Sequence, residues 1–306
     1  MAEGAPSLQV RVGDLVLRNP VMSASGCFGY GTEYADLVDL NELGAVVVKA
    51  TTLHPREGNR PPRIAETTAG MLNAIGLQNE GVHHFIEKKL PALGEFDCPV
   101  IVNIAAKDPN EYQEIARILD DAEGVSAIEI NVSCPNVSGG LDCGVDPKLT
   151  AHVVESVCKA TRLPAICKLT PNVTDVRVIA RAAEEAGATA VSLINTVLAL
   201  AIDVETRRPK ISNVMGGLSG PAIKPIAVRM VYQVAQTVKI PVLGIGGICT
   251  AEDAVEFLLA GATAVQVGTA GFVQHTAMLD IIDGIREYLV RHEVADVNEL
   301  IGGMIQ

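Results

Sequence analysis

Residues 242–270 read VLGIGGICTAEDAVEFLLAGATAVQVGTA. Val242–Ile245 is a short apolar run that Gly246 and Gly247 break. Thr250 then opens an amphipathic segment, Ala251–Leu259, which Gly261 stops. A second apolar run, Ala264–Val267, ends on Gly268 and Thr269. Strand, turn, helix and strand in this space make a parallel βαβ unit.

The same pattern extends through the chain. Six more apolar runs precede this unit: Val21–Ser25, Ala45–Lys49, Val100–Ile104, Ala127–Asn131, Ala165–Leu169 and Ala190–Asn195. They are continuous rather than alternating, as parallel strands covered on both faces are. Amphipathic segments lie between them, including 110–121 and 174–186, the latter with Thr174 as N-cap and Gly187 at its end. Eight strand–helix units predict an α/β fold, a single (β/α)8 TIM barrel over residues 1–306. Leu8–Val12 and Leu15–Leu17, joined by Gly13 and Asp14, predict a hairpin across the barrel bottom. The connections 50–99 and 196–241 exceed a turn plus a helix, and are expected to build the active-site rim. A doubly wound open sheet is the alternative. Its dinucleotide fingerprint fails, because Cys249 stands where the third glycine belongs.

Composition narrows the function classes. Hydrophobic residues are 48% of the 306, which excludes disorder, and aromatics are 3%, which requires an aliphatic core. The net charge of −12, without a basic run, argues against nucleic acid and anionic membrane as partners. No apolar run is long enough to span a bilayer, and MAEGAPSLQV carries no secretion signal. The seven cysteines are odd in number and form no C-x-x-C pair. That argues against a disulfide framework, a structural metal or an iron–sulfur cluster on this chain, and predicts a cytoplasmic setting.

A barrel places its chemistry at the C-terminal strand ends. Here those ends carry Ser25, Lys49, Asn103, Asn131, Lys168, Asn195, Gly246-Gly247 and Gly268-Thr269. A lysine closing an apolar strand is costly to desolvate unless an anion meets it. Two lysines and three amides therefore predict a polar, anionic ligand. The glycines after the last two strands predict a phosphate site, belonging to substrate or cofactor. Gly216–Pro221 is a third glycine-rich turn. After the fourth strand comes Asn131-Val-Ser-Cys134-Pro-Asn136. A cysteine in a polar loop at the barrel mouth can act as nucleophile or as general base, whereas Cys167, inside an apolar strand, reads as packing. No histidine is tied to Cys134 by a local motif, which weakens the nucleophile reading.

The segments NPVMSASGCFGYG, VVVKATTLHPREGNRPPRIAET, GMLNAIGLQN, NVSCPNVSGG, KLTPNVTD, INT, GGLSGPAIKP, GIGGI and QVGTA run in order from Asn19 to Ala270. Together they resemble class 1 dihydroorotate dehydrogenases, most closely the NAD-linked class 1B catalytic subunit. The resemblance implies one FMN at the barrel mouth. Its phosphate would sit on Gly246, Gly247, Gly268 and Thr269, with Gly220 nearby. Ser25, Lys49, Ala50, Asn103, Asn131, Lys168 and Ile194 would surround its chain and ring. Lys49, Asn73, Ala74, Ile75, Gly76, Leu77, Asn131, Asn136, Asn195 and Thr196 would hold dihydroorotate, with Cys134 as the base. It further implies a partner electron-transfer flavoprotein subunit bearing FAD and an iron–sulfur cluster, which passes electrons to NAD. This chain would then be the homodimer core of a heterotetramer.

These roles suit the chemistry. Amides match a urea-like ring edge without adding charge. Lys49 opposes the substrate carboxylate, and a positive Lys168 beside the flavin favours its anionic reduced form. Cys143, where a bulky apolar residue is expected, is the departure in the loop that would cover the substrate. The readings left in competition are a fumarate-linked class 1A enzyme, another pyrimidine- or uridine-reducing flavin barrel, a non-catalytic FMN-binding subunit, and a phosphosugar aldolase or isomerase.

Overall fold

The computed structural model describes residues 5–133 and 143–305. A hairpin comes first, β1 (Val10–Val12) and β2 (Leu15–Leu17), paired antiparallel. The strands that follow are β3 (Val21–Ser23), β4 (Val46–Thr51), β5 (Ile64–Thr67), β6 (Gly70–Asn73), β7 (Val100–Ile104), β8 (Ala127–Asn131), β9 (Ala165–Leu169) and β10 (Ala190–Leu193). The last are β11 (Val197–Leu200), β12 (Ile202–Asp203), β13 (Arg208–Pro209), β14 (Met215–Ser219), β15 (Val242–Ile245) and β16 (Ala264–Val267).

Eight of these make one sheet in the order β3-β16-β15-β10-β9-β8-β7-β4. Every pairing in it is parallel. A parallel bridge between Met22 and Ala45, with the Ser23 hydroxyl accepting from the Val47 N–H at 2.9 Å, joins the two ends. The sheet is therefore a (β/α)8 barrel, and all eight expected strands are present. Two are shorter than the sequence runs suggested: β3 stops at Ser23 and β10 at Leu193.

The helices between strands start where the sequence supplies an oxygen for their unpaired N–H groups. Asp108 and Asp146 each accept two N–H groups and precede a proline at the first helical position. Thr250 and Asp253 form a reciprocal capping box at Ala251–Leu259. The helix expected to begin after Thr174 is capped one residue later, by Asp175, and spans Val176–Glu185. Asp175 wins because its carboxylate accepts the Arg177 N–H and also pairs with the Arg177 side chain at 2.8 Å.

The hairpin lies at the N-terminal end of the barrel, where Gly13 packs against Thr189, the residue leading into β10. Hydrogen bonds from Ser7 to Ala295 and from Asn298 to Gln9 tie it to the end of the chain. At the opposite end, the two long connections join into a second sheet, ordered β11-β14-β6-β5 and antiparallel throughout. Its central pairing sets Gly217 opposite Asn73 and Leu218 opposite Leu72. Among the described residues, no helix is long and apolar enough to cross a membrane.

The interior is mostly aliphatic, as the composition requires, with one exception. Ser23, Asn103, Glu129, Ser192 and Gln266 are buried on barrel strands, and Lys168 is 5% exposed among them. A barrel interior is ordinarily filled by branched aliphatics. A polar layer here marks the end of the barrel that serves a ligand.

Candidate active site

Three turns converge at the C-terminal mouth: Gly246-Gly247 after β15, Gly268-Thr269 after β16, and Gly220 after β14. They edge a cleft with about 530 Å³ of empty space, which Ser25, Lys168, Ile194, Asn195 and Thr196 also line. Gly246 and Gly247 have φ of 130° and 75°. A Cβ on Gly247 would come within 2.8 Å of the Lys224 Cβ and 2.9 Å of the Gly220 carbonyl. Only glycine fits, and the backbone is left bare toward the cleft. The Thr269 hydroxyl donates to Ser219 at 2.8 Å and ties the β14 and β16 turns together.

The helix behind these turns is less free to bind an anion than its position implies. The Asp253 carboxylate takes the N–H groups of Cys249 and Thr250 at 2.9 and 3.0 Å, and Thr250 caps the Asp253 N–H. Lys224 meets Asp253 at 2.7 Å and Glu256 at 2.6 Å. Burial raises the Asp253 pKa, but Lys224 and the two N–H groups outweigh it and hold the carboxyl below its ordinary range. The N–H groups of Cys249, Thr250 and Asp253 at the helix end are thus already taken, whereas the glycine turns are bare toward the cleft.

Beneath the cleft lies the anion that meets Lys168. Glu129 on β8 is fully buried, 3.5 Å from the Lys168 Nζ. It accepts from Asn103 Nδ2 at 2.6 Å, Gln266 Nε2 at 2.7 Å and Ser192 Oγ at 2.8 Å. The carbonyl oxygens of Asn103 and Gln266 are then buried without a partner.

On the other flank, Asn131 and Asn195 join at 3.3 Å, and the Tyr112 hydroxyl holds the Asn131 carbonyl at 2.7 Å. Asn195 Oδ1 accepts the Thr196 N–H at 2.9 Å, and Asn172 Nδ2 reaches the Thr196 carbonyl at 3.1 Å. Asn73 donates to the Gly217 carbonyl at 3.3 Å in the rim sheet. The segment Ala74–Leu77 is held from outside, by Asn59 at Ala74 and Ile75 and by Asn79 at Leu77. Lys49 projects from β4 with its ammonium 5.7 Å from the centre of the Tyr30 ring. Burial pulls Lys49 below the ordinary lysine range, while Glu33 and Glu80 push it back.

The expected residues thus fall into two groups. Ser25, Lys168, Ile194, Asn195, Thr196, Gly220, Gly246, Gly247, Gly268 and Thr269 line one cleft. Lys49, Ala50, Asn73–Leu77, Asn103 and Asn131 are not among its lining: Asn131 is joined to it through Asn195, and Asn103 through Glu129 and Lys168, whereas the contacts described for Lys49 and Asn73–Leu77 run to residues outside the lining. Cys134 and Asn136 lie outside the described residues. Cys143 opens a short turn, packs against the core, and its carbonyl accepts from Thr150 at 2.7 Å. Burial pushes the Cys167 thiol up, as expected of a packing cysteine.

Glu129, Ser192 and Gln266 were not among the expected site residues, because they stand inside their strands and not at the mouth. The signal was present: a carboxylate inside AIEIN and an amide inside AVQV are anomalies in apolar runs. Cys27 and Cys249, which line the cleft, were not expected there either. Burial pushes the Cys27 thiol to about 11, against the opposing pull of Lys168, so it is neutral at physiological pH.

Comparison with known proteins identifies the family. The family described as dihydroorotate dehydrogenase matches residues 7–289. The relative "Dihydroorotate dehydrogenase B (NAD(+)), catalytic subunit" of Thermoanaerobacter pseudethanolicus is 54% identical over 299 residues, 97% of this chain and 99% of its own length. Proteins of the same name from Porphyromonas gingivalis and Geotalea uraniireducens are also 54% identical, covering 97% and 99% of this chain and 97% and 99% of theirs.

Proposed function

The chain belongs to the dihydroorotate dehydrogenase family, and from that premise we propose that it oxidises dihydroorotate to orotate with FMN held in the glycine-edged cleft. The carrying observation is that bare backbone at Gly246-Gly247 and the buried ammonium of Lys168 line the same space. The turns suit a phosphate. The ammonium suits an electron-rich ring.

Bound FMN supplies the acceptor for a hydride from substrate C6. The chain does the rest. Lys49 opposes the substrate carboxylate, which favours the charged ammonium that burial disfavours. Asn131, Asn195, Asn73, the 74–77 backbone and Thr196 offer donors and acceptors to the urea-like edge, joined by Asn136. Cys134 takes the proton from C5 as general base. A thiol pKa near ~8.5 is close enough to physiological pH for that task. Lys168 supplies positive field on the side where negative charge builds.

The whole chain acts as one FMN-binding domain in the cytoplasm, and electrons leave it through a partner. The relatives' names call them catalytic subunits, which supports a second subunit. No C-x-x-C pair in this sequence offers a cluster site, which supports placing FAD and the iron–sulfur cluster on the partner, with NAD as acceptor and a homodimer of this chain at the centre of a heterotetramer.

Acid precipitation of the purified chain should release FMN as its only flavin, one per chain. NAD reduction by dihydroorotate should require the second subunit. A folded, colourless chain that FMN cannot reconstitute would overturn the cofactor reading. Efficient NAD reduction by this chain alone, or turnover with fumarate only, would overturn the partner reading.

A further inference from the structure

Glu129 sits inside the barrel on β8, fully buried. Groups from four other strands converge on it: Asn103 from β7, Lys168 from β9, Ser192 from β10 and Gln266 from β16. All four are donors, the set an ionised carboxylate requires. A barrel built only for stability gains nothing from a buried charge here, since branched aliphatics fill such layers. Glu129 does not itself line the cleft, whereas its ion-pair partner Lys168 does. A single 3.5 Å contact engages at most one of the three ammonium protons and leaves the others for the cleft.

The amide partners carry a second message. Because the carboxylate accepts the NH2 groups of Asn103 and Gln266, their carbonyl oxygens must turn away from it. Both oxygens are buried and unpartnered. Orphaned buried acceptors are costly, and it is the carboxylate that holds both amides in this orientation.

We propose that Glu129 is a positioning residue: it anchors the Lys168 ammonium at the cleft and orients the Asn103 and Gln266 amides behind it. The proposal rests on the FMN reading above. Gln at this position would remove the counter-charge and offer an NH2 group against two others, so at least one amide must flip. Asp would keep the charge on a shorter arm.

The test uses FMN-loaded protein and sulfite, which adds to the bound flavin ring, bleaches its visible band and binds tighter where positive charge lies beside the ring. Glu129→Gln should weaken both FMN and sulfite binding by roughly tenfold or more. Glu129→Asp should recover most of the sulfite affinity. A merely structural role would lower the melting temperature and leave both dissociation constants unchanged. Unchanged or tighter sulfite binding in Glu129→Gln, with wild type binding FMN normally, overturns the proposal alone. Wild-type protein that binds no FMN overturns the FMN reading and this proposal with it. Should Glu129→Gln fail to fold, the pairing is read from Lys168→Met and from Lys168→Met with Glu129→Gln. The double variant should fold and melt above Lys168→Met, and a double variant no more stable than that single one overturns the pairing.

Discussion

The two halves of the barrel mouth are built on opposite physics. On the β15–β16 side, the ligand-facing surface is backbone, kept bare because Gly246 and Gly247 adopt conformations and contacts that exclude a side chain. On the β7–β10 side it is side chain: the Lys168 ammonium, backed by a buried carboxylate, and the Asn195 amide, linked to Asn131. The first half presents bare backbone to the cleft, suited to a group that is held and never changes. The second concentrates charge and proton-bearing groups, suited to where bonds change. A barrel that hosts both a cofactor tail and a redox centre would divide its mouth in this way.

The largest effect that could break this division belongs to the reacting side. Cys134→Ala should slow flavin reduction by dihydroorotate by ~10²–10⁴-fold while leaving FMN content unchanged. Stopped-flow bleaching measures it. In wild type the rate should rise with pH until the thiol is ionised, since only the thiolate accepts the proton. Cys143→Ala is the control and should react at nearly the wild-type rate. The reverse result would put the base on the wrong cysteine.

The holding side should respond in the opposite sense. Gly247→Ala forces a side chain into φ of 75° and against Lys224 and Gly220. Strain of ~1–3 kcal/mol predicts FMN binding weaker by roughly 5- to 150-fold. Turnover per bound FMN should stay near wild type. Fluorescence quenching of added FMN, paired with a rate per bound flavin, separates the two. A variant that binds FMN normally but reacts slowly would erase the distinction between the halves.

The smallest effect sharpens what holds the phosphate. Thr250→Ala removes the helix cap and should destabilise the fold by about 1 kcal/mol, seen as a small fall in melting temperature. FMN affinity should barely move, because the cap binds its own helix rather than the ligand. A large loss of FMN would assign the phosphate to the helix end after all.

The comparison also separates what the sequence disclosed from what it hid. The barrel was legible because a strand covered on both faces must be apolar at every position, as Val100–Ile104 and Ala165–Leu169 nearly are. The glycine turns were legible because Gly246-Gly247 and Gly268 directly follow apolar runs. The rim sheet was hidden. β6 and β14 are short, half-exposed strands whose pairing joins residues some 140 positions apart, so no local pattern announces it. Glu129 was hidden differently: its residue type was visible, but its meaning depends on four donors brought from distant strands. Asp175 was missed by one place because Thr174 beside it is an equally good cap by type, and the Arg177 contact decides.

One measurement tests the central claim most directly: the visible spectrum of the purified chain, taken without oxygen before and after dihydroorotate is added. Bound FMN predicts a yellow protein whose flavin band bleaches on mixing, with orotate formed in equal amount and no partner subunit needed for that half-reaction. A flavin that stays oxidised in the presence of dihydroorotate, in protein shown to be folded and FMN-loaded, would contradict the account.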